Sequence, residues 1–305
     1  MGELSILNKP KNEDLIEKYL SYFKHSEQSM ATRKSAINYF IKRFGYKGNL
    51  LDIEKKNLID YFNYLNQSDE LVLSSKKLKW TILKNLVGFC NDYYEDVMEK
   101  AIILPKFTIK WKLVHKKSDS NKDVIATETE LKQILDCFEI TSNRNYLIFK
   151  IFVDTGMRIG ELESIDYDKI NTKKRIIETK GKAGLKAYYI TKKTNDVLKY
   201  FINNRKELSL DTKALFLSSH LKRMSKRNIQ KILHQALNHL KIKKDITAHT
   251  FRRTINTYRK KMGCDLEDRK ILLNQKVNDV NFESYTKLKY EDFIELYDKW
   301  YPYNF

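Results

Sequence analysis

Apolar residues recur at helical spacing through most of the first hundred residues. Leu15, Ile16, Tyr19 and Leu20 form the first such stripe, and spacings of three and four place these side chains on one face of a helix. Three more stripes follow: Ile37, Phe40, Ile41 and Phe44; Leu58, Tyr61, Phe62 and Leu65; and Leu78, Ile82, Leu86 and Phe89. The pattern predicts a compact domain of four helices over residues 1–103.

The pattern changes after residue 124. Thr127-Glu128-Thr129-Glu130 is a capping-box signal that starts a helix, and an apolar helix is predicted over 143–154. Alternating polarity then predicts strands at 166–171, 175–179 and 186–191, with a turn over 180–184. Helical spacing returns over 197–206, 226–240, 251–262 and 266–273. We therefore predict a second domain over 124–289 that is mostly helical with a small antiparallel sheet.

A basic segment, residues 104–123, separates the two predicted domains. It is interpreted as a linker, although its alternation of lysines with Phe107, Ile109, Trp111 and Leu113 also fits a short strand. The lysines are either an ordinary solvated face or contacts to DNA phosphates, and the sequence leaves both interpretations open. The candidate DNA-binding residues are Lys106, Lys110, Lys112, Lys116 and Lys117.

The net charge of the chain indicates the kind of partner that it binds. Its 305 residues contain 58 Lys and Arg against 39 Asp and Glu, a formal net charge of +19. Such a surplus favours a polyanion, because each neutralised phosphate releases a condensed counterion. The cysteines, Cys90, Cys137 and Cys264, form no C-x-x-C pair, which disfavours zinc and disulfides and fits a reducing cytoplasm. No apolar run reaches about 18 residues, so we expect an intracellular protein with no membrane partner.

Two short motifs contain the candidate chemistry. In Thr155-Gly156-Met157-Arg158-Ile159-Gly160-Glu161-Leu162, Arg158 and Glu161 share a helical face, so the carboxylate can hold the guanidinium. In Ala248-His249-Thr250-Phe251-Arg252-Arg253-Thr254, His249 and Arg252 begin a helix, whose free N–H groups attract anions. Arginine binds phosphate oxygens two at a time, and histidine transfers protons near neutral pH. Taken singly, the motifs also fit a surface ion pair and a capping histidine, and Arg253 is an alternative to Arg252.

Tyr285-Thr286-Lys287, near the C-terminus, adds a potential nucleophile. Together with the two motifs it resembles the tyrosine recombinases, the family of phage integrases and Xer-type resolvases. The resemblance implies a two-domain C-clamp, in which a helical core-binding domain and a tyrosine-recombinase catalytic domain enclose DNA. It also implies site-specific DNA recombination or integration through a 3′-phosphotyrosyl intermediate.

The resemblance implies a role for each candidate residue. Tyr285 attacks the phosphorus, Arg158 and Arg252 hold the non-bridging oxygens, and Lys182 protonates the leaving 5′-oxygen. His249 assists proton transfer and Glu161 orients its neighbours. Lys180 is the alternative to Lys182, and Tyr290 is the alternative to Tyr285.

The chain departs from the family after the last predicted helix. Leu273-Asn274-Gln275 stands where the family has Leu-Gly-His, so Gln275 takes the position of the second histidine. The gap from Gln275 to Tyr285 is also one residue longer than usual. Glutamine donates a hydrogen bond but carries no charge, so we expect altered transition-state stabilisation. This departure motivates an alternative, a non-catalytic site-specific DNA-binding protein on the same scaffold, and a type IB topoisomerase-like enzyme is a third class.

The resemblance further implies how the protein assembles. We expect double-stranded DNA with inverted-repeat arms as the partner and a homotetramer on that DNA, from a monomer or weak oligomer in free solution. Accessory proteins are compatible with this scheme, and cytoplasmic, nucleoid-associated localisation follows from it. The aromatic tail, residues 290–305, either packs on its own domain or docks as a helix on a neighbouring protomer. No P-loop, His-Glu-x-x-His motif or acidic metal cluster is found in the sequence, so neither a metal nor another cofactor is expected.

Overall fold

The computed structural model describes residues 9–22, 26–105, 111, 124–181, 184–275 and 290–305. The chain divides into two compact units, Met1–Asp119 and Ser120–Phe305, and each unit has its own hydrophobic core. Helices dominate both units, and a small antiparallel sheet lies in the second. The predicted fold class, mostly helical with a small sheet in the C-terminal domain, is confirmed.

The first unit is a bundle of amphipathic helices. They are α1 (Asn12–Tyr22), α2 (Glu27–Asn38), α3 (Lys55–Gln67) and α4 (Leu73–Tyr93). A π-helical turn, Tyr39–Phe44, continues α2 and ends at Gly45, whose φ of 87° is left-handed. The predicted apolar stripes line the core, except that Leu78 is 47% exposed. That prediction was wrong because the buried face of α4 is centred on Trp80, Leu83 and Val87, and Leu78 lies at its edge.

The second unit begins with the predicted capping box. The Thr127 hydroxyl accepts from the Glu130 N–H at 3.2 Å, and the Glu130 carboxylate accepts from the Thr127 N–H at 2.7 Å. The helices are α5 (Glu128–Thr141), α6 (Asn143–Thr155), α7 (Ile159–Glu163), α8 (Lys192–Glu207), α9 (Lys226–His239), α10 (Ala248–Lys261), α11 (Leu266–Leu272) and α12 (Tyr290–Lys299). Almost every residue of α6 is buried, so this helix is the centre of the core that supports the candidate site.

The sheet contains three strands in the order β1 (Ile170–Asn171), β2 (Ile176–Gly181) and β3 (Gly184–Tyr189). β2 and β3 pair antiparallel, with Ile177 opposite Tyr188. The predicted strand over 166–171 was largely wrong, since Tyr167–Lys169 form a 3-10 turn. The Tyr167 N–H donates to the Lys213 carbonyl at 3.0 Å, and Asp166 forms an isolated antiparallel bridge with Ala214, so this segment contacts residues 213–214 before β1 begins.

The tail packs on its own unit. Tyr297 and Tyr303 are buried, and the Tyr301 hydroxyl donates to the Asp154 carboxylate at 2.7 Å. The Lys150 ammonium, which pairs with Asp154 at 3.1 Å, also donates to the Phe305 carbonyl at 2.8 Å. A buried polar network therefore joins the end of the chain to α6. Docking of the tail on a neighbouring protomer stays a prediction.

Candidate active site

The candidate site forms where the end of α6 meets α10 and the end of α11. α6 ends at Gly156, which has a φ of 62°. A Cβ added there would lie 2.8 Å from Ile255 Cγ2, 3.0 Å from Leu273 Cδ2 and 3.3 Å from Arg252 Cα. Glycine alone supplies both this left-handed backbone and this close approach. The Thr-Gly-Met-Arg segment is therefore held directly against the helix that carries Arg252.

Two backbone carbonyls fix the Arg252 side chain. One terminal nitrogen donates to the Gly156 carbonyl at 2.9 Å, and the other donates to the Leu273 carbonyl at 2.7 Å. The residue is only 4% exposed. Burial lowers the pKa of the guanidinium and the nearby Arg158 lowers it further, whereas Tyr188 and Glu161 raise it. Because each terminal nitrogen carries a second N–H, the fixed guanidinium keeps donors for an anion.

Glu161 is a buried carboxylate at the centre of the site. One oxygen accepts from the Arg158 backbone N–H and the Tyr188 hydroxyl, both at 2.7 Å. The other accepts from Lys186 at 2.8 Å and from the Arg158 side chain at 3.1 Å. Burial opposes ionisation, but the hydrogen bonds from Lys186, Tyr188 and Arg158 lower the pKa of Glu161 to about 2. The carboxylate is therefore charged across the physiological pH range.

Lys186 and Tyr188 also belong to the site, although the sequence did not predict them. Both lie on β3 and bind the same carboxylate, and Tyr188 is buried. Burial and the hydrogen bond to Glu161 raise the pKa of Tyr188, so the phenol stays protonated and donates a hydrogen bond to the carboxylate. Residues two apart on a strand share a face, so the spacing was a usable signal. Nothing in that spacing, however, identified Glu161 as the partner.

His249 lies in the first turn of α10 and is exposed. Partial burial lowers its pKa, and so do the positive charges of Arg253, Arg252 and Arg158. The two motifs are in direct contact, because the Arg252 guanidinium donates to the Gly156 carbonyl. A lowered pKa favours the neutral imidazole at pH 7, the form that accepts a proton.

Gln275 follows the end of α11, and its side chain is exposed. Its N–H donates to the Lys270 carbonyl at 2.8 Å, and the Asn274 N–H donates to the Ile271 carbonyl at 2.9 Å. This pair of bonds is a Schellman motif, which fixes the turn after a helix. The Leu273 carbonyl binds Arg252, and Gln275 follows Leu273 by two residues.

Several predicted residues lie outside the described part of the chain. They are Lys182, Tyr285 and the linker residues Lys106, Lys110, Lys112, Lys116 and Lys117. The backbones of Lys180 and Tyr290 belong to β2 and α12, but their side chains are outside the described part. Arg158, Glu161, His249 and Arg252 are brought together.

The described residues contain no group of three or more His, Cys, Asp or Glu side chains placed to hold a metal ion. Among them, no helix has the length and apolar character that crossing a membrane requires.

Residues 125–290, more than half of the chain, match the sequence profile of the phage integrase family. Tyrosine recombinase XerC of Caldanaerobacter subterraneus is 25% identical over 286 residues, which cover 86% of this chain and 79% of that protein. XerC of Leptospira interrogans is 21% identical over 300 residues, covering 95% and 94%. The match to XerC of Thermodesulfovibrio yellowstonii is shorter, 26% identical over 171 residues, and spans 56% of that relative.

Two solved structures share the fold. XerH site-specific recombinase bound to palindromic difH substrate matches with a TM-score of 0.66 and 19% identity, covering 88% of this chain and 78% of XerH. The Tn1549 transposon integrase in complex with transposon right end DNA matches with a TM-score of 0.65 and 14% identity, covering 95% and 99%.

Proposed function

Because the chain belongs to the phage integrase family of tyrosine recombinases, we propose that it is a site-specific DNA recombinase that works through a 3′-phosphotyrosyl intermediate. The observation that carries the proposal is the pair of fixed arginines. Arg158 is bound by Glu161, and Arg252 is bound by the carbonyls of Gly156 and Leu273. Preorganised cations of this kind stabilise charge that develops on a phosphodiester in the transition state.

In the proposed reaction, the Tyr285 oxygen attacks the scissile phosphorus. A bond forms between tyrosine and phosphorus, and the bond from phosphorus to the 5′-oxygen breaks. Arg158 and Arg252 bind the non-bridging oxygens, His249 accepts the tyrosine proton, and Lys182, or Lys180 in its place, protonates the departing 5′-oxygen. Attack by the 5′-hydroxyl of a partner strand reverses these steps. The phosphotyrosyl bond conserves the energy of the broken bond, so rejoining requires no nucleotide cofactor.

Gln275 is assigned to the same phosphate. Its exposed amide follows the turn that holds Arg252, and it can donate a hydrogen bond to a non-bridging oxygen. An amide adds neither charge nor proton transfer. We therefore assign the chemical steps to Tyr285, His249 and the hairpin lysine, and only a neutral contact to Gln275.

The proposed partner is double-stranded DNA with inverted-repeat arms, on which the protein assembles as a homotetramer in the cytoplasm, associated with the nucleoid. The net charge of +19 supports a nucleic-acid partner. The fold likeness to XerH and to the Tn1549 integrase, both solved in complex with DNA, agrees with this proposal. The linker lysines Lys106, Lys110, Lys112, Lys116 and Lys117 are proposed to contact backbone phosphates.

The second candidate is a non-catalytic site-specific DNA-binding protein on the same scaffold. Gln275 in place of a histidine favours it. The ionised Glu161 and the ordered arginine pair weigh against it, because a binding protein does not need a charge network of this kind at one phosphate.

Covalent adduct formation separates the two candidates. DNA sites are first selected by binding from a random pool, and nicked duplexes carrying them are then incubated with the protein and analysed on SDS gels. We expect an SDS-resistant adduct that is lost in Tyr285→Phe and kept in Tyr290→Phe. Tight site-specific binding by the wild type without any adduct would contradict recombinase activity and favour the non-catalytic candidate.

A further inference from the structure

Asn274 occupies a backbone position that usually belongs to glycine. Its φ is 49°, in the left-handed region, and it follows the C-cap of α11 in the Schellman turn. After α10 the chain places Gly263 in the left-handed region, with a φ of 89° and open space around the position of a Cβ. Asn274 therefore has a side chain at a position where glycine best suits the backbone conformation.

The Asn274 side chain joins the turn to the sheet. Its amide nitrogen donates to the Ala187 carbonyl at 2.7 Å, across 87 residues of sequence. Ala187 lies on β3, one of the two edge strands in the order β1-β2-β3. A glycine at position 274 would accept the turn conformation but could not form this bond.

The bond closes a ring of contacts around the two arginines. On one side of Ala187, Lys186 binds Glu161, and on the other side Tyr188 binds the same carboxylate, which holds Arg158. Leu273, the residue before Asn274, binds Arg252 through its carbonyl, and the Arg252 guanidinium also donates to the Gly156 carbonyl. Asn274 is thus the link between β3 and the turn that carries Gln275.

We propose that Asn274 is a positioning residue that fixes the turn against β3 and so places the Gln275 amide beside the scissile phosphate. This role rests on the recombinase function proposed above. A neutral donor acts only where it is held, because it lacks the long-range attraction of a charge. The side chain at position 274 thereby fixes the position of the uncharged residue that follows it.

The test compares Asn274→Gly with Ser209→Gly. Ser209 is exposed, has a φ of 45° and follows the C-cap of α8, so the control makes the same polar-to-glycine change at a similar backbone conformation. The backbone conformation at both positions suits glycine, so both variants are expected to fold. For Asn274→Gly we expect adduct formation on the nicked duplex, under single-turnover conditions, to slow by about 10- to 100-fold, because small displacements of a transition-state contact cost rates of this size. Affinity for the DNA site should change by less than about twofold, since the contact acts in the transition state. Ser209→Gly should match the wild type in both measurements.

A double-mutant cycle with Gln275→Ala shows whether Asn274 acts through Gln275. If it does, Asn274→Gly slows the wild type but has no further effect in the Gln275→Ala background. An active wild type with an equally fast Asn274→Gly variant would overturn the role of Asn274 alone. Additive losses in the cycle would overturn the route through Gln275. Absence of any adduct from the wild type would overturn the recombinase function, and with it this role.

Discussion

Glu161→Gln removes the charge at the centre of the candidate site while keeping the shape of the side chain. The carboxylate accepts four hydrogen bonds, two on each oxygen. An amide turns one of those oxygens into a donor. In one orientation of the amide, its NH₂ group faces the donors of Lys186 and the Arg158 side chain. In the other orientation, it faces the Arg158 N–H and the Tyr188 hydroxyl. In both orientations the Lys186 ammonium, with 12% of its side chain exposed, loses its counter-charge.

The pKa of Glu161 gives the size of the effect. A decrease from 4.5 to about 2 corresponds to about 3 kcal/mol of stability for a carboxylate this well buried. Because the folded protein holds the ionised form more tightly, this contribution is complete above pH 4.5 and is lost as the pH falls through about 2. We therefore expect Glu161→Gln to lower the free energy of unfolding of the second unit by about 3 kcal/mol at pH 7. The difference from the wild type should narrow as the pH falls below 4.5.

Urea unfolding followed by Trp300 fluorescence measures this difference. Trp80 and Trp111 belong to the first unit, so replacing both with phenylalanine leaves Trp300 as the reporter of the second. Asp196→Asn is the matched control, because it makes the same carboxylate-to-amide change in an exposed ion pair, which contributes about 0–1 kcal/mol. A loss for Glu161→Gln no larger than that of the control, or a difference that stays constant from pH 7 to pH 3, would refute the reasoning.

Three further predictions concern the same unit. Gly156→Ala should lower the free energy of unfolding in urea by about 2–4 kcal/mol, because it combines a left-handed φ with a Cβ contact of 2.8 Å. Gly263→Ala, which has open space around the added Cβ, should lower it by about 1 kcal/mol. Arg259→Met should leave the free energy of unfolding unchanged or raise it, because Arg259 is fully buried and its terminal nitrogens have no hydrogen-bond partner within the described chain; a clear loss would contradict this. The rate of adduct formation should decline only below about pH 6.5, since the pKa of His249 is lowered and its neutral form accepts the proton; a rate that rises on acidification would exclude that role.

Local patterns predicted the local parts of the site. The predicted ion pair between Arg158 and Glu161 is confirmed at 3.1 Å, although Arg158 is the extended N-cap of α7 and does not share a helical face with Glu161. The capping box at Thr127 and the end of α6 at Gly156 are equally local, because each depends on residues within one helical turn. Contacts of this range follow from the geometry of one element and need no knowledge of the fold.

The remaining contacts of Glu161 could not be predicted in this way. Lys186 and Tyr188 are 25 and 27 residues away in sequence, and they reach the carboxylate only because β3 pairs with β2. The incorrect prediction of a strand over 166–171 also arises from contacts that are distant in sequence. Tyr167 donates its backbone N–H to the Lys213 carbonyl and Asp166 forms a bridge with Ala214, and both contacts depend on the tertiary fold.

The framework of the candidate site does not depend on the side chain at position 275, where the resemblance to the family implies a glutamine in place of a histidine. Arg252 is held by the carbonyls of Gly156 and Leu273, and a backbone carbonyl is the same whichever side chain follows it. Arg158 is held by Glu161, whose other partners lie on β3. In the proposed reaction, the exchange therefore replaces one charged donor with a neutral one at the phosphate. Complete loss of a preorganised donor costs about 10²- to 10³-fold in rate, so we expect the exchange to cost no more than that.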